Sequence, residues 1–144
     1  MKKSTNRQEV IRRLVRAKAI HTQRDLVDEL SKAGFDCTQA TVSRDIADMG
    51  LRKLPEGIYV LAEDLHLQKM VSALVLDVKR SDNMVILKAQ PGTAPGIAAA
   101  VDAAGLPELV GSIAGNDTLL VVAKDQAEGE RFEKLINQLR SAAE

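Results

Sequence analysis

Four polar side chains, Gln39, Thr41, Ser43 and Arg44, lie in the segment TQATVSRDI around the apolar residues Val42, Ile46 and Met49. The apolar three recur at i, i+4 and i+7, the spacing of one helix face, so the polar four face outward. Arginine reaches guanine edges or phosphates, and Gln, Ser and Thr supply polar contacts, so the chemistry on offer is recognition of a DNA duplex. A second group sits in the other half of the chain. Asp102, Asp117 and Asn116 accompany two glycine-containing loops, QPGTAP and AGNDT. A carboxylate withdrawn from water needs a cationic partner, which suits a ligand site. Taken alone, Asp117 better suits a turn and Asp102 a solvated helix than a ligand site, and pattern does not settle the choice.

The elements that must position these residues are marked in the sequence. Thr38 can cap the helix carrying Arg44, and Gly50 can end it. Before it, Thr22 and Asp25 have capping-box spacing ahead of Leu26, Val27, Leu30 and Ala33, and residues 34–37 make a turn. Thr5 and Gln8 are candidate caps for a first helix whose inward face is Val10, Ile11, Leu14 and Val15. Two short apolar runs, 51–54 and 58–61, flank Pro55, Glu56 and Gly57 and predict a hairpin. Three helices and a hairpin make a winged helix-turn-helix.

From Val71 the pattern changes. Runs 71–78 and 84–89 flank a turn cluster, Arg80 to Asn83, and predict a second hairpin. An alanine-rich helix follows over 94–104, with Thr93 as candidate cap, Pro95 in its first turn and Gly105 as its stop. Strands over 109–114 and 118–123 precede a closing helix carrying Phe132, Leu135, Ile136 and Leu139. The expected fold class is α/β (α+β): a winged helix-turn-helix over 1–63, a linker over 64–70 and a ββαββα domain over 71–144.

The net charge is zero, but it is segregated: residues 1–63 hold 12 Lys and Arg against 9 Asp and Glu, and residues 64–144 hold 8 against 11. Residues 1–18 carry seven basic side chains, Arg12 among them, against Glu9 alone. With Arg52 and Lys53 in the hairpin, these suit phosphates and imply affinity that falls with salt. An excess of three charges per chain is modest, so self-association is expected to supply avidity. It also helps two half-domains too small to bury much core.

Catalysis is disfavoured. The two histidines, His21 and His66, precede the second half, and the chain has neither a Gly-Lys-Ser/Thr phosphate loop nor a nucleophile elbow. No metal or cofactor is implied. Cys37, the one cysteine, reads as a small packed side chain. No apolar run reaches membrane-spanning length and no secretory core is present, so a cytoplasmic protein with no membrane partner is expected. Two alternatives keep a non-enzymatic role: a βαββαβ amino-acid-sensing module, which the element order disfavours, and a purely structural oligomeriser, which leaves Gln39, Ser43 and Arg44 without a task.

Taken together, TQATVSRDI, PGTA, a helical Asp102 and GSIAGNDT resemble the bacterial arginine repressor family in order and over nearly the whole chain. That resemblance implies a winged helix-turn-helix, a flexible linker, and a C-terminal domain forming trimers that stack into a hexamer. It implies L-arginine bound between trimers as corepressor. It further implies binding to paired palindromic operators of double-stranded DNA, repressing arginine biosynthesis and in some members activating catabolism. The family's ligand residues would correspond to Asp102, to Asn116 and Asp117, and to the helix start at Thr93, Ala94 and Pro95. Two positions depart from the pattern: Asn116 replaces the first acid of a GDDT loop, and Pro95 replaces a polar residue. A neutral acceptor in place of a charged one costs about tenfold in affinity. The departures imply a weaker arginine response, a related ligand such as citrulline, or a second homologous subunit. Ala40 also takes a place where the family has a contacting Ser or Thr, leaving Thr41 and Ser43 for that role.

Overall fold

The computed structural model describes residues 2–141, with side chains from Asn6 onward. The chain divides into two units, Met1–Ala62 and Glu63–Glu144.

The first unit comprises α1 (Lys2–Ala17), α2 (Gln23–Lys32), α3 (Gln39–Met49) and an antiparallel pair, β1 (Leu51–Lys53) and β2 (Tyr59–Leu61). Local signals explain its boundaries. Thr22 and Asp25 complete a reciprocal capping box at the start of α2. The Thr38 hydroxyl accepts the Thr41 amide at 3.2 Å, and Gly50 closes α3 at φ 68°, a left-handed conformation that glycine adopts without steric cost. Within the β1–β2 hairpin, the Gly57 amide donates to the Leu54 carbonyl at 2.8 Å. Ile11, Val15, Ile20, Leu26, Leu30, Val42, Leu51 and Leu61 form one apolar core. Val10 and Leu14, expected inward, are only half-buried. The first helix begins at Lys2 rather than at the expected cap Thr5. Gln8 does not cap it; its amide donates instead to Asp45.

The second unit contains α4 (Ala62–Leu74), which starts at the boundary, then β3 (Val75–Ser81), β4 (Met84–Ala89), α5 (Ala94–Ala104), β5 (Leu109–Ala114), β6 (Thr118–Ala123) and α6 (Gln126–Ser141). The predicted ββαββα order is present, preceded by a helix. Residues 64–70, expected as a linker, lie in α4, and residues 71–74, expected as strand, are its last turn. Burial is the reason. Leu67 and Val71 stand four apart and both enter the core, with Met70 and Leu74 packed beside them, so a helical period wins over β propensity.

The sheet is antiparallel throughout, in the order β3-β4-β6-β5. Val85, Leu87, Ala89, Leu119 and Val121 turn inward to meet Ile97, Val101, Phe132 and Ile136. Alternation places Met84, Ile86, Lys88, Leu120 and Val122 on the opposite face. Ile113 pairs with Leu120 on that same face and is 70% exposed. At the β3–β4 turn, a Cβ on Gly129 of α6 would lie 2.8 Å from the Asp82 carbonyl oxygen, so only glycine permits this approach.

Candidate nucleic-acid interface and ligand site

The first site is built on α3. Gln39, Ala40, Ser43, Arg44, Ala47 and Asp48 are exposed, a spacing that leaves one side of the helix open to solvent. Thr41 is half-buried, its hydroxyl 3.1 Å from that of Thr38. Of the expected contacts on α3, Gln39, Ser43 and Arg44 therefore share the open side, whereas Thr41 is tied into the cap. Arg52 and Lys53 are exposed on β1. The Lys53 ammonium lies 5.4 Å from the centre of the Tyr59 ring, a cation–π contact that steadies it at the hairpin surface. Arg12 is half-buried on α1.

The inward side of α3 holds a group the sequence reading missed. Asp45 is 2% exposed, three residues from buried Val42. Arg7 grips its carboxylate with a fork, Nε to Oδ2 at 2.5 Å and Nη2 to Oδ1 at 3.0 Å, and the Gln8 side-chain amide donates a further bond of 3.2 Å to Oδ1. Burial pushes the Asp45 carboxyl upward, but bonds from Arg7 and Gln8 and the charges of Arg7 and Arg44 outweigh it and hold the carboxyl below its ordinary range. The bond to Asp45 raises Arg7 against the opposing effect of burial. A carboxylate at an i+3 position of an apolar stripe was the available signal. Nearby Cys37 has its thiol pushed up by burial, which suits a packed side chain.

The second site lies where the start of α5 meets the β5–β6 loop. The Ala94 amide donates to the Asn116 carbonyl at 3.3 Å, and the Ala89 amide donates to the Asp117 carbonyl at 2.8 Å. These bonds bring Thr93 and Ala94 beside Asn116 and Asp117. Thr93 occupies the cap position of α5 but makes no side-chain cap bond; its hydroxyl donates to the Gln90 carbonyl at 2.7 Å. Asp117 Oδ1 accepts from the Thr118 hydroxyl at 3.1 Å, and that hydroxyl accepts from Lys88 Nζ at 2.9 Å. Asn116 and Pro95 are exposed, while Ala94 is fully buried and presents no side chain to a ligand. Asp102 is not in this group. Eight residues beyond Ala94, it lies about 12 Å further along α5. There it is exposed and lines a shallow hollow of about 170 Å³ with Gly105, Leu106, Leu109 and Ser112.

Among the described residues no three metal-ligating side chains gather, and no helix is long and apolar enough to cross a membrane.

Comparison with known proteins matches the chain in two parts. Residues 1–67 match the DNA-binding domain of the arginine repressor, and residues 71–138 match its C-terminal domain. The chain is 40% identical to the arginine repressor of Carboxydothermus hydrogenoformans over 131 residues, covering 83% of this chain and 87% of that protein. It is 41% identical to the arginine repressor of Pelotomaculum thermopropionicum, covering 90% of this chain and 95% of that protein. For the arginine repressor of Symbiobacterium thermophilum the identity is also 41%, with 93% and 97% covered.

Proposed function

The chain belongs to the arginine repressor family of DNA-binding transcription regulators, and from that premise we propose that it binds palindromic operators as a hexamer with L-arginine as corepressor. It is a regulator and not an enzyme. The observation that carries the DNA reading is α3, capped at both ends, with Gln39, Ser43 and Arg44 on its open side. In this reading Arg44 reads base edges with Gln39 and Ser43 beside it, and Arg12, Arg52 and Lys53 meet phosphates. The protein acts in the cytoplasm, where it represses arginine biosynthesis.

Self-association has its own support. Val110 is 69% and Ile113 70% exposed on edge strand β5, and Met84 and Ile86 extend an apolar surface across the sheet. Surfaces of this kind mark association sites. Trimers stacked in pairs would bury this surface and bring copies of the ligand residues together. The separation of Asp102 along α5 from the group around Asn116 and Asp117 favours a ligand site completed by a second copy, with Thr93 and Pro95 framing its edge.

Exposed Asn116 favours a second reading, in which the effector response is weakened or redirected toward citrulline, or depends on a partner subunit. A ureido group can donate to and accept from a carboxamide, whereas a guanidinium only donates. Calorimetric titration with L-arginine, citrulline and ornithine tests the ligand. Strongest binding of L-arginine supports the corepressor assignment, preference for citrulline supports the second reading, and absence of all three overturns the site.

A further inference from the structure

Asp45 is the one charged residue fully buried among the described residues, and it sits on the helix that presents Arg44. Burying a carboxylate and half-burying its guanidinium partner is costly, and such pairs contribute little net stability compared with apolar residues of the same volume. They supply direction. The rest of the inward side of α3 consists of buried Val42 with half-buried Ile46 and Met49, and apolar contacts of this kind are non-directional, so they oppose separation more strongly than a small rotation. A planar fork onto a carboxylate resists both, because its two bonds share one plane.

We infer that Arg7 and Asp45 are positioning residues that fix the rotation of α3 about its axis and so aim Arg44 and Ser43 at the base edges. This inference rests on the DNA-binding reading. Arg7 Nε and Nη2 hold both carboxylate oxygens, Gln8 adds a third bond, and among the described residues no buried side-chain polar atom is left without a partner. A small rotation of α3 would break this arrangement while leaving Val42 buried. Adjacent residues on a helix are about 100° apart, so Asp45 held inward places Arg44 at the flank of the open side. Arg7 therefore spends its charge within the fold rather than on phosphate.

The test uses the full-length chain with saturating L-arginine and three variants: Asp45→Asn, Arg7→Lys, and the double replacement Arg7→Met with Asp45→Leu. Fluorescence anisotropy on an AT-rich palindromic duplex of the arginine-operator type and on its scrambled counterpart gives a discrimination ratio across salt. Urea unfolding of each variant gives stability. Arg7→Lys keeps the charge but loses the fork, and the ratio should fall about tenfold with the scrambled-duplex salt slope unchanged. The double variant fills the space with apolar groups, so it should unfold at a midpoint near that of the wild type while its ratio stays low. A pair that merely stabilised the fold would have both quantities restored in the double variant, and that result would overturn the inference. So would equal losses on the two duplexes for Arg7→Lys. A wild-type protein with no palindrome preference would remove the DNA reading itself, and the inference with it, in the first arm of the experiment.

Discussion

The Ala94 amide donates to the carbonyl of Asn116 at 3.3 Å, so the start of α5 is joined to the β5–β6 loop through the backbone of Asn116 and not through its side chain. The exposed carboxamide is therefore free to be exchanged without disturbing the junction. Asn116→Asp should leave the unfolding midpoint unchanged and tighten L-arginine binding about tenfold, as expected when a charged acceptor replaces a neutral one opposite a guanidinium. Titration calorimetry on both proteins measures this; equal affinities would remove Asn116 from the ligand site.

Arg44 and Lys53 should separate by the kind of affinity they supply. Arg44→Ala is expected to lower binding to the palindrome by about 1–3 kcal/mol while sparing scrambled DNA. Lys53→Ala should weaken both duplexes alike and reduce the salt slope by about one. A loss for Arg44→Ala that is equal on both duplexes would refute its base-reading role.

Ile113 is 70% exposed and faces away from the core of its own unit, so a charge there costs the single chain little. Ile113→Lys should shift sedimentation from a larger assembly toward smaller species with the far-ultraviolet circular dichroism retained. An unchanged sedimentation profile would assign self-association to another surface.

Acid should act on the first unit through its carboxylates. Asp25, Glu29 and Asp45 all have folded-state values held below their ordinary ones: Asp25 by the His21 and Thr22 amides, Glu29 chiefly by Lys18, and Asp45 by Arg7 and Gln8 against burial. A depressed folded value contributes stability that is complete above the unfolded value, about 4, and is lost as pH falls through the folded one. Unfolding midpoints should therefore drop below about pH 4, and Asp45→Asn should flatten that fall. An identical acid profile in the variant would show that Asp45 is not one of the groups responsible.

Gly129→Ala tests the close approach of α6 to the β3–β4 turn. Alanine favours a helix interior by about 1 kcal/mol, but the new Cβ would meet backbone at 2.8 Å from Asp82 and 3.2 Å from Asn83. Neither is a flexible side-chain end, so a net destabilisation of about 1–3 kcal/mol in urea unfolding is expected. A stabilised variant would show that the turn yields easily.

Much of this architecture is legible in the sequence because short-range signals mark it. Thr22 with Asp25, Thr38, Gly50 and Gly105 delimit helices through their own caps, and the clusters at 55–57, 80–83 and 115–117 mark turns. The helix α4 was not legible, because Val71 through Val78 reads as one β-branched or apolar run and it is the packing of Leu67 and Val71 into the core that holds residues up to Leu74 in the helix. Arg7 and Asp45 were missed for a related reason. They lie 38 residues apart, and although Asp45 stands at i+3 of the apolar stripe, no local pattern tells which of many basic residues turns inward to meet it. The separation of Asp102 from Asp117 likewise depends on the direction of α5, which composition does not encode.

The central claim, an arginine-responsive regulator that reads DNA through α3, is tested most directly by fluorescence anisotropy at fixed salt on the palindromic and scrambled duplexes, with and without saturating L-arginine. The account predicts that L-arginine tightens binding to the palindrome and leaves the scrambled duplex little changed. Binding that is equal on both duplexes, or palindrome binding indifferent to L-arginine, would contradict it.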